Sequence, residues 1–213
     1  MYIPSHFGEE RIDILHGLIS QHSLAALVTL GPDGFLANHI PLIVDPEPAP
    51  LGTLRGHLSK ANSQWKDSLP GVPALAIFQG PAAYITPSWY PSKLETGNVV
   101  PTYNYVVVHA HGLLATFEDP ALLERHLRKL TDAHEAAFAD RWSIDDAPAS
   151  FIRDLLKGIV GIEIPIARLE GKWKLSQNRT LADRAGVVEG LTASANPAHQ
   201  DMAELISRKI TGI

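Results

Sequence analysis

The chain contains no cysteine, and that one absence removes disulfides, thiolate nucleophiles, cysteine-type zinc sites and thiol redox sensing together. Redox chemistry in such a chain needs a bound cofactor. Positive charge is also scarce: 18 basic residues against 23 acidic ones give a net charge of −5, so no global basic field attracts a polyanion such as DNA. The opening MYIPSHFGEERIDILHGL lacks a basic leader followed by an apolar run, and no uninterrupted apolar run approaches bilayer-spanning length. The expectation is a cytoplasmic protein without membrane attachment. No Gly-rich nucleotide fingerprint, P-loop or G-x-S-x-G elbow occurs; the nearest glycine cluster, GPDG at Gly31 to Gly34, leads into a strand instead of a helix. What remains is an ordinary globular composition of 213 residues, 45% apolar and 19% charged, long enough for one large domain.

Along the chain, Ile12, Leu15, Leu18 and Ile19 recur at helical spacing within a helix expected from about Glu9 to His22. LAALVTL and FLANHIPLIV flank GPDG as an antiparallel hairpin. The run DPEPAP (Asp45 to Pro50) reads as a surface loop. Further strands are expected at Leu51 to Leu58, at Ala74 to Phe78 and along TYNYVVVHAHGLLATFE, with Gly112 as a bend point. Asp119 as N-cap and Pro120 at the first helical position open a helix with Leu123, Leu127 and Leu130 on one face. A second helical piece runs from about Ala149 to Lys157, strand composition returns in IVGIEIPIARLEGKWKLS, and two helices close the chain, Leu181 to Glu189 and Pro197 to Ile210, the latter capped by Asn196. Strands, then helices, then returning strands argue for a mostly antiparallel α+β fold.

The segment Gly80 to Tyr105 concentrates five of the fifteen aromatic residues (Tyr84, Trp89, Tyr90, Tyr103, Tyr105) among Pro81, Pro87, Pro91 and Pro101. Prolines remove backbone donors and stiffen the chain. At this point a plug for one end of a core and a platform for a flat ligand are both open readings. Three polar runs end or interrupt apolar strands: GHLSKAN (Gly56 to Asn62), PSKLETGN (Pro91 to Asn98) and KLSQNR (Lys174 to Arg179). A phosphate needs convergent N–H and O–H donors with one or two cations, which Ser59, Lys60, Asn62, Gln177, Asn178 and Arg179 offer. Aromatic segment and polar runs together suit a ligand with a flat ring at one end and a phosphate at the other, such as flavin mononucleotide (FMN). Ten histidines invite a metal reading, above all His109 and His111 on one strand face, with His39 and His57. No carboxylate cluster accompanies them, so no metal is assigned. No side chain stands out as a general base.

At these residues the chain resembles the PaiB-like proteins, FMN-binding negative transcriptional regulators. The resemblance runs through MYIPSHF, ANHIPL (Ala37 to Leu42), GHLSKAN, FQGPAAYITPSWYPSK, VPTYNYVVVHAHG, LTDAHE, IVGIEI and GKWKLSQNR. It implies the FMN-binding split barrel, a six-stranded antiparallel Greek-key barrel with flanking helices, here a single domain spanning 1–213 with a helical insertion at about 119–157 and a helical C-terminal segment at about 180–213. It further implies a homodimer with the flavin site at the subunit interface. Carried over residue by residue, Asn38, His39 and Ile40 would face the flavin ring. His57, Ser59, Lys60 and Asn62 would form much of the phosphate site, Ser88, Trp89 and Lys93 would cover it, and Gln177, Asn178 and Arg179 would reach across from the partner subunit. Tyr103 stands where the family more often has Trp.

The leading expectation is a dimeric regulator with FMN as a structural or sensing ligand. The family label brings in DNA, which the acidic balance opposes. Arg179, Arg184, Arg208 and Lys209 are the candidates for a basic docking face. Two further readings use the same pocket: a flavin-dependent oxidoreductase acting on a nicotinamide cofactor or small substrate, and a haem-binding relative with His39, His57 or His111 as axial ligand.

Overall fold

The computed structural model describes residues 1–48 and 50–211. Ala49 of the expected surface loop, and Gly212 and Ile213 at the end of the expected C-terminal segment, lie outside the described residues. In chain order the elements are β1 (Gly8–Glu9), α1 (Ile12–Gln21), β2 (Leu24–Gly31), β3 (Gly34–Pro41), β4 (Ile43–Asp45), β5 (Thr53–Ser59), α2 (Gln64–Asp67) and β6 (Ala74–Ile85). There follow α3 (Ser92–Glu95), β7 (Thr102–Gly112), β8 (Ala115–Phe117), α4 (Pro120–Glu135), α5 (Ala149–Leu156), β9 (Ile159–Pro165), β10 (Arg168–Lys174), α6 (Leu181–Thr192) and α7 (Pro197–Thr211). The fold is α+β, with a six-stranded antiparallel sheet in the order β1-β10-β7-β6-β2-β3 and a four-stranded sheet in the order β4-β5-β9-β8. The chain divides into two compact units, one of residues 1–15, 79–108 and 170–213, the other of 16–78 and 109–169.

In the second unit the hairpin forms where the alternation of LAALVTL requires it: β2 buries Ala25, Leu27 and Thr29 while the residues between them face outward or half-outward. Gly31 pairs with Gly34 across the two-residue turn Pro32-Asp33, and Gly34 takes φ +122°, a region open to glycine. β2 also pairs with β6 through Ala26↔Ile77 and Val28↔Leu75. In the four-stranded sheet β5 pairs with β9, placing His57 opposite Gly161. Asp119 caps α4 as its sequence position requires, its Oδ1 accepting from the N–H groups of Ala121 (2.9 Å) and Leu122 (3.0 Å). Leu27, Leu42, Leu54, Leu58, Phe78, Leu123, Ile162 and Ile164 form this unit's core.

In the first unit β1 pairs with β10, Gly8 opposite Lys172 and Glu9 opposite Gly171. α6 and α7 pack on each other and bury Val187, Leu191, Met202, Ala203 and Ile206. Thr180 caps α6 through the N–H of Asp183, and Asn196 caps α7 through that of Ala198.

Two expectations are corrected. Glu9 lies in β1 and not in the first helix; its carboxylate accepts from the N–H groups of Glu10 (3.1 Å) and Arg11 (3.0 Å), so α1 starts at Ile12. Strand β6 does not stop at Phe78 but runs on to Ile85 and takes in Tyr84, whereas Tyr103 and Tyr105 lie in β7 as expected and Trp89 and Tyr90 stay on the connection. Pro81 is compatible with strand β6 because it lies beyond Leu75–Ile77, the stretch that pairs with β2. Tyr84 and Tyr103 meet edge to face at 5.7 Å.

β7 ends at Gly112, a position that only glycine fits. A Cβ there would stand 2.1 Å from the carbonyl oxygen of Pro165. Gly112→Ala is therefore expected to lower stability by about 1–3 kcal/mol, seen as a lower urea midpoint at unchanged m-value. A midpoint equal to wild type would contradict the close approach.

Candidate functional site

The sequence-selected residues fall into two sets, one in each unit. In the second unit, period-two alternation along β3 puts Asn38 and Ile40 on its inward face and His39 on its exposed face. Asn38 and His39 therefore cannot present their side chains to one ligand from the same side. The Asn38 amide donates to Oε1 of Gln64 at 2.9 Å. Gln64 is 1% exposed, and its Nε2 stands within hydrogen-bond reach of the Leu27 carbonyl (3.1 Å), Thr29 Oγ1 (3.2 Å) and the Leu36 carbonyl (3.3 Å). Its backbone N–H donates to Oδ1 of Asn62 at 3.0 Å.

The turn after β5 is thereby tied to the hairpin. Gly56 begins this segment because a Cβ there would stand 2.9 Å from the Pro41 carbonyl oxygen and 2.5 Å from the Leu42 side chain. Within the turn, Ser59 Oγ accepts from the N–H of Ala61 at 3.2 Å, and the N–H of Asn62 donates to the Ser59 carbonyl at 2.9 Å. The Lys60 ammonium meets Glu118 at 2.6 Å, with both side chains well exposed. Such a pair contributes at most about 1 kcal/mol, so exchanging Glu118 for a ligand anion costs little. Ser63 occupies the N-cap position of α2 without making a side-chain cap. An ammonium, two hydroxyls and the amide nitrogen of Asn62 thus stand within five residues, the chemistry that a phosphate monoester requires.

His57, two residues before the turn, contributes no charge. Its Nδ1 lies 3.3 Å from Nε2 of His126 on α4. Burial lowers the pKa of His57, and that of His126 falls to about 4 through burial, then through the charges of His57 and Arg55. His126 Nδ1 is buried without a partner, so a second proton on that ring has nowhere to donate. His126 also lines a 400 Å³ cleft with Asp45, Arg55, Arg125, Lys129 and Glu163.

In the first unit, Ser88 Oγ accepts from the exposed Lys93 ammonium at 3.4 Å. Trp89 lies against α6, where a Cβ on Gly190 would come within 2.3 Å of the indole ring and one on Gly186 within 2.1 Å of the Trp89 carbonyl oxygen. The loop is anchored one turn later, where Asp183 accepts from the N–H (3.1 Å) and hydroxyl (2.8 Å) of Ser92. Gln177 spends its amide locally, accepting from the N–H of Leu175 (2.7 Å) and donating to the Trp173 carbonyl (2.5 Å) around Ser176, whose φ is 61°. Asn178 is exposed, and the Arg179 guanidinium stacks 4.8 Å over the ring of Tyr90.

From the sequence Tyr90 is only one of five clustered aromatics, and Gln64, Asp183 and His126 are passed over. His126 carried a signal, since it lies three residues after Leu123 on the apolar stripe of α4; Gln64 carried none beyond a polar residue following a turn.

Solved structures show the fold. The flavocytochrome Anf3 of Azotobacter vinelandii superposes with a TM-score of 0.57 at 13% identity, covering 86% of this chain and 78% of that one, and the fold is that of the split-barrel flavin proteins. The family model described as "Putative FMN-binding domain" matches residues 1–168. The Bacillus subtilis protease synthase and sporulation protein PAI 2 is 31% identical across 99% of this chain and 98% of its own length. An uncharacterized protein of Emericella nidulans is 32% identical across 98% and 97%. The chain belongs to this PaiB-like FMN-binding family, and FMN is its cofactor.

The histidine pair makes stability depend on pH with a definite sign. The folded pKa of His126 lies below its unfolded value near 6.5, so its contribution is complete above pH 6.5 and declines as pH falls toward about 4. The loss across that window is roughly 3 kcal/mol. His126→Gln is expected to flatten the profile between pH 6.5 and 4 in urea unfolding, and an unchanged slope would rule the pair out as its source.

Proposed function

We propose that the phosphate of FMN is held at the turn following β5 by the Lys60 ammonium and the Ser59 hydroxyl, with Asn62 and Ser63 as further donors. The observation that carries this reading is an ammonium set beside hydroxyl and amide donors, restrained by nothing stronger than an exposed ion pair with Glu118. Backbone groups of β3 at Asn38 to Ile40 face the flavin ring, and bound FMN supplies a redox-active, light-absorbing group to the site. The protein is cytoplasmic and a homodimer with its flavin site at the subunit interface, as its resemblance implies. Its regulatory role, implied by the resemblance to the PaiB-like regulators, works through flavin occupancy and not through direct operator contact. The net charge of −5 supports this, as does the pairing of Arg208 with Glu204 on α7.

Lys60→Ala is expected to weaken FMN binding about tenfold to a hundredfold, the effect of one charge-assisted contact, while riboflavin, which lacks the phosphate, binds as it does to wild type. The measurement is quenching of flavin fluorescence on titration of apo-protein. Equal loss for both flavins, or no loss for FMN, would remove Lys60 from the phosphate site.

A further inference from the structure

The 400 Å³ cleft of the second unit lies between one stripe of α4 and one row of the four-stranded sheet. Leu122, Arg125, His126 and Lys129 recur at i, i+3, i+4 and i+7, the spacing that brings side chains to one side of a helix. Across from them, Ile43, Arg55 and Glu163 stand in register on β4, β5 and β9. Phe117 on β8 pairs with Gly161, and its ring lies so close over that glycine that a Cβ would find no room. The half-exposed ring is thereby held as one wall of the cleft.

The charged groups of the cleft are unequally engaged. Asp45 meets both Arg55 (2.6 Å) and Lys129 (3.0 Å), and Glu163 lies 3.5 Å from Arg55. Arg125 is exposed and makes no hydrogen bond or ion pair among the described residues. His126 adds no charge near neutral pH, because burial holds its pKa at about 4. Arg55, Arg125 and Lys129 against Asp45 and Glu163 therefore leave one positive charge in the lining, and Arg125 is the cation without a carboxylate.

We infer that this cleft binds a small aromatic monocarboxylate, its carboxylate on the Arg125 guanidinium and its ring against Phe117 and Leu122. A planar guanidinium fork matches the two oxygens of a carboxylate. A phosphoryl dianion would bring a second negative charge toward Asp45 and Glu163 with no further cation to meet it. Ile43, Phe117 and Leu122 supply apolar wall, and an aromatic ligand gains from the fixed Phe117 ring. The volume is in the range of small-molecule sites. No lining residue of the cleft is among those assigned to the flavin.

The test is calorimetric titration of FMN-loaded protein with phenylacetate as probe, and with phenylacetamide as its uncharged counterpart. Wild type is expected to bind phenylacetate saturably, and phenylacetamide at least about tenfold more weakly. Arg125→Gln, a change at an exposed position, is expected to lower phenylacetate affinity by at least about tenfold while leaving FMN affinity within about twofold of wild type. Absence of phenylacetate binding by wild type, equal affinity for the amide, or equal phenylacetate binding by Arg125→Gln would each overturn the inference. Release of FMN in step with phenylacetate binding would also overturn it, by placing the probe in the flavin site.

Discussion

The side chain of Gln64 is the constraint on which the candidate phosphate site depends. It is almost fully buried, joins β2 through Leu27 and Thr29, joins β3 through Leu36 and Asn38, and fixes the turn after β5 through Asn62. A buried amide with all its partners supplied is stabilising and directional, whereas the same amide with a partner missing is costly. The network therefore sets the distance between the hairpin and the turn more tightly than apolar packing does. Gly56 permits the close approach and Gln64 fixes it. Ser59 and Lys60, at the rim of this braced turn, keep the exposure that a ligand site requires.

Several cations of the second unit are neutralised by carboxylates of the same unit. Arg55 is satisfied by Asp45 and Glu163, Arg128 by Glu124 and Asp145, and Lys129 by Asp45. Lys60 holds an exposed partner that a ligand can displace. His57 and His126 follow another logic: burial keeps them neutral, so they brace β5 against α4 without adding charge near the turn.

Much of this architecture was legible in the sequence, because it rests on local rules. The GPDG hairpin, the Asp119-Pro120 helix start, the Asn196 cap and the stop at Gly112 each follow from a residue's backbone preference or hydrogen-bonding chemistry. The expected end of β6 at Phe78 was too early because Gly80 and Pro81 read as breakers, while the strand runs on to Ile85 with Pro81 beyond the stretch that pairs with β2. Gln64 was illegible for a different reason: its importance comes from acceptors on two other strands, which no spacing rule places beside it. Gln177 is the converse, a residue chosen for its donors whose amide is spent within four residues of itself.

On the proposed reading, the braced turn recognises the phosphate end of FMN. That reading is tested most directly by titrating wild-type apo-protein with FMN and with riboflavin under the same conditions. Saturation at one FMN per chain is expected, with riboflavin at least about tenfold weaker. Equal affinity for the two flavins, or no saturable FMN binding, would contradict it.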